Sequence, residues 1–103
     1  MNEHDRVYSY EQVFDDSFNN HRVFHSTMIT PIANALQGFN STVFIYGMTG
    51  SGKTYTMFGK SGSNTAKGIK TDEDGLVSMT IDYLFNELEK ESHIKSQVCV
   101  SFY

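Results

Sequence analysis

Between Gly47 and Thr54 the chain reads Gly-Met-Thr-Gly-Ser-Gly-Lys-Thr, which satisfies G-x-x-x-x-G-K-[ST] at every fixed position. Each fixed residue answers a need of phosphate chemistry. Glycines let the backbone wrap an anion with its N–H groups turned inward, through torsions that a Cβ would block. Lys53 brings a point charge suited to β- and γ-phosphates, and the Thr54 hydroxyl is of the kind that ligates Mg²⁺. A helix beginning near Lys53 would aim the positive end of its dipole at the same phosphates. A chance match in a chain this short would arise roughly a few times in a thousand, given average glycine usage of about 7%. Gly47, Met48, Thr49, Gly50, Ser51, Gly52, Lys53 and Thr54 are therefore read together as a phosphate-binding loop.

Such a loop needs a strand before it and a helix after it. Ser41 to Tyr46 (STVFIY) is short, apolar and rich in β-branched and aromatic residues, as a strand buried in a parallel sheet would be. Upstream, His21 to Gln37 spaces Phe24, Met28, Ile32 and Leu36 four apart, which predicts a helix with Asn20 as N-cap and Gly38 as C-cap. Pro31 should kink or divide it. Arg6 to Phe14 has the composition of a strand or strand-turn segment, and Asp15 to Asn20 that of a loop. Gly59 to Gly75 reads as a long exposed loop. Leu76 to Glu91 predicts a second helix with Val77, Ile81, Leu84, Phe85 and Leu88 on its apolar face and the acidic Asp72-Glu73-Asp74 ahead of it, suited to the dipole. Ser96 to Tyr103 alternates like a strand. The order strand, helix, strand, helix, strand predicts an α/β fold, a P-loop NTPase-type sheet with helical crossovers. Three strands are few for a free-standing sheet, so the sheet is expected to be incomplete and the chain to be part of a larger domain.

Composition sets the outer limits. The 103 residues fit one small domain, and 39% hydrophobic with 14% aromatic residues suffices for a core. A formal net charge of −4 supplies no general attraction to nucleic acid or to an anionic membrane. Cys99 is the one cysteine, so an internal disulfide is impossible and a reducing, cytoplasmic setting is expected. No signal peptide and no apolar run of spanning length is visible, and the sequon at Asn40 is read as a coincidence. His21 and His25 stand four apart on the first helix but lack a third ligand nearby, so a solvated helix face accounts for them better than a metal does.

The flanks of the loop narrow the reading. "LQGFNSTVFIYGMTGSGKTYTMFG", Leu36 to Gly59, closely resembles the kinesin motor domain, whose pattern runs L-x-G-[YF]-N-x-T-[VI]-F-x-Y-G-x-T-[GS]-S-G-K-T-x-T-M-x-G. "YSYEQVFDD" near the N-terminus resembles the family's F-x-F-D-x-V-F segment, with Tyr8, Tyr10 and Glu11 in place of Phe, Phe and Asp. "CVSFY" at Cys99 to Tyr103 matches the start of a later strand. The likeness spans Val7 to Tyr103.

The resemblance implies that Gly47 to Thr54 hold the phosphates of ATP or ADP, with Mg²⁺ on Thr54, and that Tyr55 lies where kinesins often set a ring against adenine. It implies that the Gly59–Gly75 loop is the family's variable insertion. Gly75-Leu76-Val77-Ser78-Met79 departs from the usual G-[IL]-[IV]-P-R, which puts the helix start in doubt. It further implies a microtubule-based motor that couples ATP hydrolysis to movement or remodelling, in the cytoplasm on the cytoskeleton, its parent dimerising through a coiled coil. The family's R-x-R-P segment and its two switch motifs are not among these residues, so the chain is expected to be an N-terminal fragment, residues 1–103, with no catalytic residue of its own. The alternatives are a non-catalytic P-loop scaffold or remnant, or another P-loop NTPase or small-molecule kinase.

Overall fold

The computed structural model describes residues 5–60 and 74–103. The helices are α1 (Asn20–Thr27), α2 (Ile29–Leu36), α3 (Lys53–Phe58) and α4 (Leu76–Lys90). The first of the predicted helices is thus two. Met28 (φ −94°, ψ −22°) separates them, three residues before Pro31. Pro31 has no N–H to offer the Thr27 carbonyl, and the Thr27 hydroxyl separately donates to the Val23 carbonyl at 2.7 Å, a bond that bends helices. The apolar stripe continues across the break, so Phe24, Met28 and Ile32 are all buried.

Caps define the ends of this pair. The N-cap is Asn19, whose side chain accepts from the Arg22 N–H at 2.9 Å, and not Asn20 as the spacing suggested. Asn20 is instead the first helical residue and is buried. At the other end Gly38 takes φ +99°, with its N–H on the Ala35 carbonyl and the Phe39 N–H on that of Asn34, which is a Schellman closure. Before α1, Phe14 and Phe18 meet edge to face at 5.2 Å and the Arg22 guanidinium lies 3.9 Å above the Phe18 ring.

Phe24, Met28, Ile32 and Leu76 form the core, with Val23, Ile29, Ile45, Met57, Met79, Tyr83 and Leu84 packed around them. α4 lies against both α1 and α3. The face it uses matches the predicted one only in part, through Leu84 on the core and the half-buried Val77 and Leu88. Leu76, Met79, Tyr83 and Leu84 turn inward, whereas Ile81 and Phe85 are exposed. The helix is apolar on more than one side, so periodicity alone allows two stripes, and its neighbours select between them. No acidic residue occupies its first turn; Asp74 is buried ahead of the Gly75 N-cap, and Asp72 and Glu73 lie outside the described residues.

The expected sheet is not formed by the described residues. Among the described residues no strand ladder forms, and residues 6–14, 41–46 and 96–103 run without pairing. The one recorded bridge joins Gly59 and Asp74 in antiparallel sense and closes the base of the predicted Gly59–Gly75 loop, of which residues 61–73 lie outside the described set. Sequence composition marks a segment that can pair, but a strand exists only with a partner in register. The radius of gyration is 16.5 Å, against about 13 Å for a compact chain of this length, in keeping with apolar segments that lie open.

Candidate functional site

Gly47 to Thr54 lead directly into α3 at Lys53, as the motif requires. The loop turns through a Ser51 N–H to Met48 carbonyl bond of 3.0 Å. Gly50 and Gly52 take φ +81° and +96°, torsions in which a side chain is strained, while a Cβ added at either would meet nothing within 4 Å. Their glycine requirement is therefore one of torsion, and the space beside them is open to a ligand. Thr49, Gly50, Gly52, Lys53, Thr54 and Tyr55 line one cleft of about 410 Å³, a size ordinary for a small-molecule site. Gly47, Met48 and Ser51 do not line the cleft.

Electrostatics favour an anion. The lining includes the Lys53 side chain and no carboxylate. The Lys53 ammonium donates to the carbonyls of Gly47 and of Met48 (2.7 Å to the latter), tying the start of α3 back to the start of the loop. α3 contributes less than a long helix would. It has six residues, which makes its macrodipole small, and its offering is the amides of its first turn. The first bond of the helix runs from Thr56 N–H to the Gly52 carbonyl at 2.9 Å, leaving the amides of Gly52, Lys53, Thr54 and Tyr55 without an intrahelical acceptor.

A divalent metal is also compatible with these donors, within limits. Thr54 lines the cleft, and no group of three or more His, Cys, Asp or Glu side chains suited to a metal is found among the described residues. Thr54 would give one oxygen ligand, with phosphate and water oxygens completing the set, the mode Mg²⁺ prefers. His21 and His25 stack at 4.6 Å between ring centroids and are exposed, away from the cleft.

Tyr55 is 43% exposed at the cleft edge, and its backbone leads to a residue that the sequence flagged only as a helix cap. The Asn20 side-chain amide donates to the carbonyl of Tyr55 (3.0 Å) and to that of Asp74 (3.1 Å), joining the starts of α1 and α4 to α3. Gly75 closes the same junction by contact. A Cβ there would lie 2.4 Å from the Met57 carbonyl oxygen and 2.5 Å from the Gly59 nitrogen. The only sequence sign of Asn20 was its neighbour, since two consecutive asparagines cannot both cap one helix.

Comparison with known proteins bears on all of this. The family model of the kinesin motor domain matches residues 1–103. Kinesin-like protein KIN-12F of Arabidopsis thaliana is 38% identical over 92 residues, 89% of this chain and 8% of the relative. Kinesin-related protein 13 of Dictyostelium discoideum is 41% identical over 85 residues, 82% of this chain and 6% of the relative. Chromosome-associated kinesin KIF4A of Homo sapiens is 36% identical over 98 residues, 95% of this chain and 8% of the relative. The chain thus spans less than a tenth of the length of these relatives. No helix among the described residues is long and apolar enough to cross a membrane.

Proposed function

The chain belongs to the kinesin motor-domain family, a P-loop NTPase fold, and from that membership we propose that Gly47 to Tyr55 form the ATP- and ADP-binding part of a microtubule motor. The observation that carries the reading is the cleft itself. The positive-φ Gly50 and Gly52, with Lys53, Thr54 and Tyr55 of the first turn of α3, line one open space that has no carboxylate residue in its lining. The loop amides and Lys53, whose ammonium now donates to the Gly47 and Met48 carbonyls, would hold the phosphates, and the Thr54 hydroxyl would hold Mg²⁺. Mg²⁺ held there would supply neutralisation of phosphate charge. The Tyr55 ring, exposed at the cleft edge, stacks on adenine.

The cleft lining has no carboxylate or histidine to activate water. Gripping and splitting the nucleotide are therefore divided, with the hydrolytic groups supplied by other parts of the motor domain. In that domain residues 6–14, 41–46 and 96–103 are strands of its sheet, which accounts for the exposure of Phe44, Tyr46, Val100 and Phe102. Movement along microtubules, a place on the cytoskeleton in the cytoplasm, and dimerisation through a coiled coil are properties of that larger protein.

Titration calorimetry of the 103-residue chain with Mg-ATP tests the reading. Binding should weaken at least about tenfold in Lys53→Ala, or about 1.4 kcal/mol. Equal affinity in both proteins would sink the assignment.

A further inference from the structure

We propose that Asn20 is a positioning residue for the nucleotide cleft, setting the orientation of α3 and with it Lys53, Thr54 and Tyr55; this rests on reading the cleft as an ATP site. Asn20 is 5% exposed, and its amide donates both to Tyr55 and to Asp74, across 35 and 54 residues of chain. It opens α1, which the burial of Phe24 and Met28 fixes to the core. α3, by contrast, is six residues long and has no buried residue of its own. A helix so short does not hold itself in place, because nucleation is unfavourable and its few bonds are marginal in water. Its orientation must come from outside.

The outside contacts are of two kinds. Met57 packs on the core and the Gly75 backbone presses on Met57 to Gly59, which fixes the far end of α3 by non-directional contact. Asn20 adds a directional bond, and at the residue that carries the ring. Holding the Tyr55 carbonyl restricts rotation of α3 about its axis, and the rotation of a one-and-a-half-turn helix decides where Lys53, Thr54 and the Tyr55 ring point. The second bond, to Asp74, ties the return of the chain to the same point. No atom of Asn20 lines the cleft, so its influence on binding acts through α3.

The test uses the full chain, with Mg-ATP and Mg-tripolyphosphate as probes. Asn20→Asp keeps the shape but presents oxygen to two carbonyl oxygens; Asn20→Ala removes the donors without adding charge and carries the test if the first variant does not fold. Either should bind Mg-ATP at least about tenfold more weakly and lose most of the preference for ATP over tripolyphosphate. In a Tyr55→Ala background the same substitution should leave that preference unchanged, since the two residues act on one feature. A lowered urea midpoint with the preference intact would overturn the proposal, leaving Asn20 a packing residue. Failure of the unsubstituted chain to bind either probe would overturn the ATP-site reading and the positioning role with it.

Discussion

Two regions of this molecule, one helical and one extended, both carry many apolar residues and have different fates. The helical region, α1, α2 and α4 with the P-loop helix α3, buries Phe24, Met28, Ile32 and Leu76 and fastens its polar joints through Asn20 and the Gly59–Asp74 bridge. The extended region, residues 6–14, 41–46 and 96–103, leaves Val7, Phe44, Tyr46 and Phe102 largely exposed. Helices satisfy their backbone bonds locally, so an amphipathic face is all they require of the rest of the chain. A strand's bonds lie with a neighbour, so β-branched and aromatic residues without a registered partner remain an apolar ribbon. The P-loop sits at the seam, with the extended Ser41–Tyr46 segment on one side and α3 on the other.

The contrast can be broken by substitution, and the largest effects belong in the helical region. Phe24→Ala should lower stability by about 4 kcal/mol in a urea titration, as expected for a buried aromatic in a small core. Gly75→Ala should follow at about 3 kcal/mol, because its Cβ would overlap backbone atoms of Met57 to Gly59 that cannot step aside as a side chain would. Phe44→Ala, although it removes the same ring as Phe24→Ala, should change the midpoint by less than about 0.5 kcal/mol. A cost at Phe44 matching that at Phe24 would mean that the extended region is packed, and the comparison would fall.

The smallest effect concerns protons. The Asp15 carboxylate accepts from the hydroxyl and the backbone N–H of Ser17, which lower its pKa from the ordinary 3.8. A depressed folded value means that the turn gains stability from Asp15 above pH 3.8 and loses it as pH falls through the folded value. NMR titration of the Asp15 side chain should give a midpoint below 3.8, and Ser17→Ala should raise it. A midpoint indifferent to Ser17 would remove this turn from the account.

The same contrast explains what could be read from the residues alone. The loop from Gly47 to Thr54 and the start of α3 at Lys53 were legible because their requirements are local, set by torsion and charge at fixed spacing. The Phe24–Met28–Ile32 stripe and the Gly38 closure were legible for the same reason. What was not legible depended on partners. Whether Asn19 or Asn20 capped α1, which of two stripes α4 would bury, and whether the extended segments would pair are all decided by contacts distant in sequence. Asn20 belongs to this second class, which is why a buried amide with two carbonyl partners passed for a cap.

Amide hydrogen exchange with and without Mg-ATP tests the central claim most directly. The account predicts added protection at Gly50, Gly52, Lys53 and Thr54, the amides proposed to meet the phosphates, and none along residues 96–103. Protection absent from the loop, or spread evenly over both regions, would contradict it.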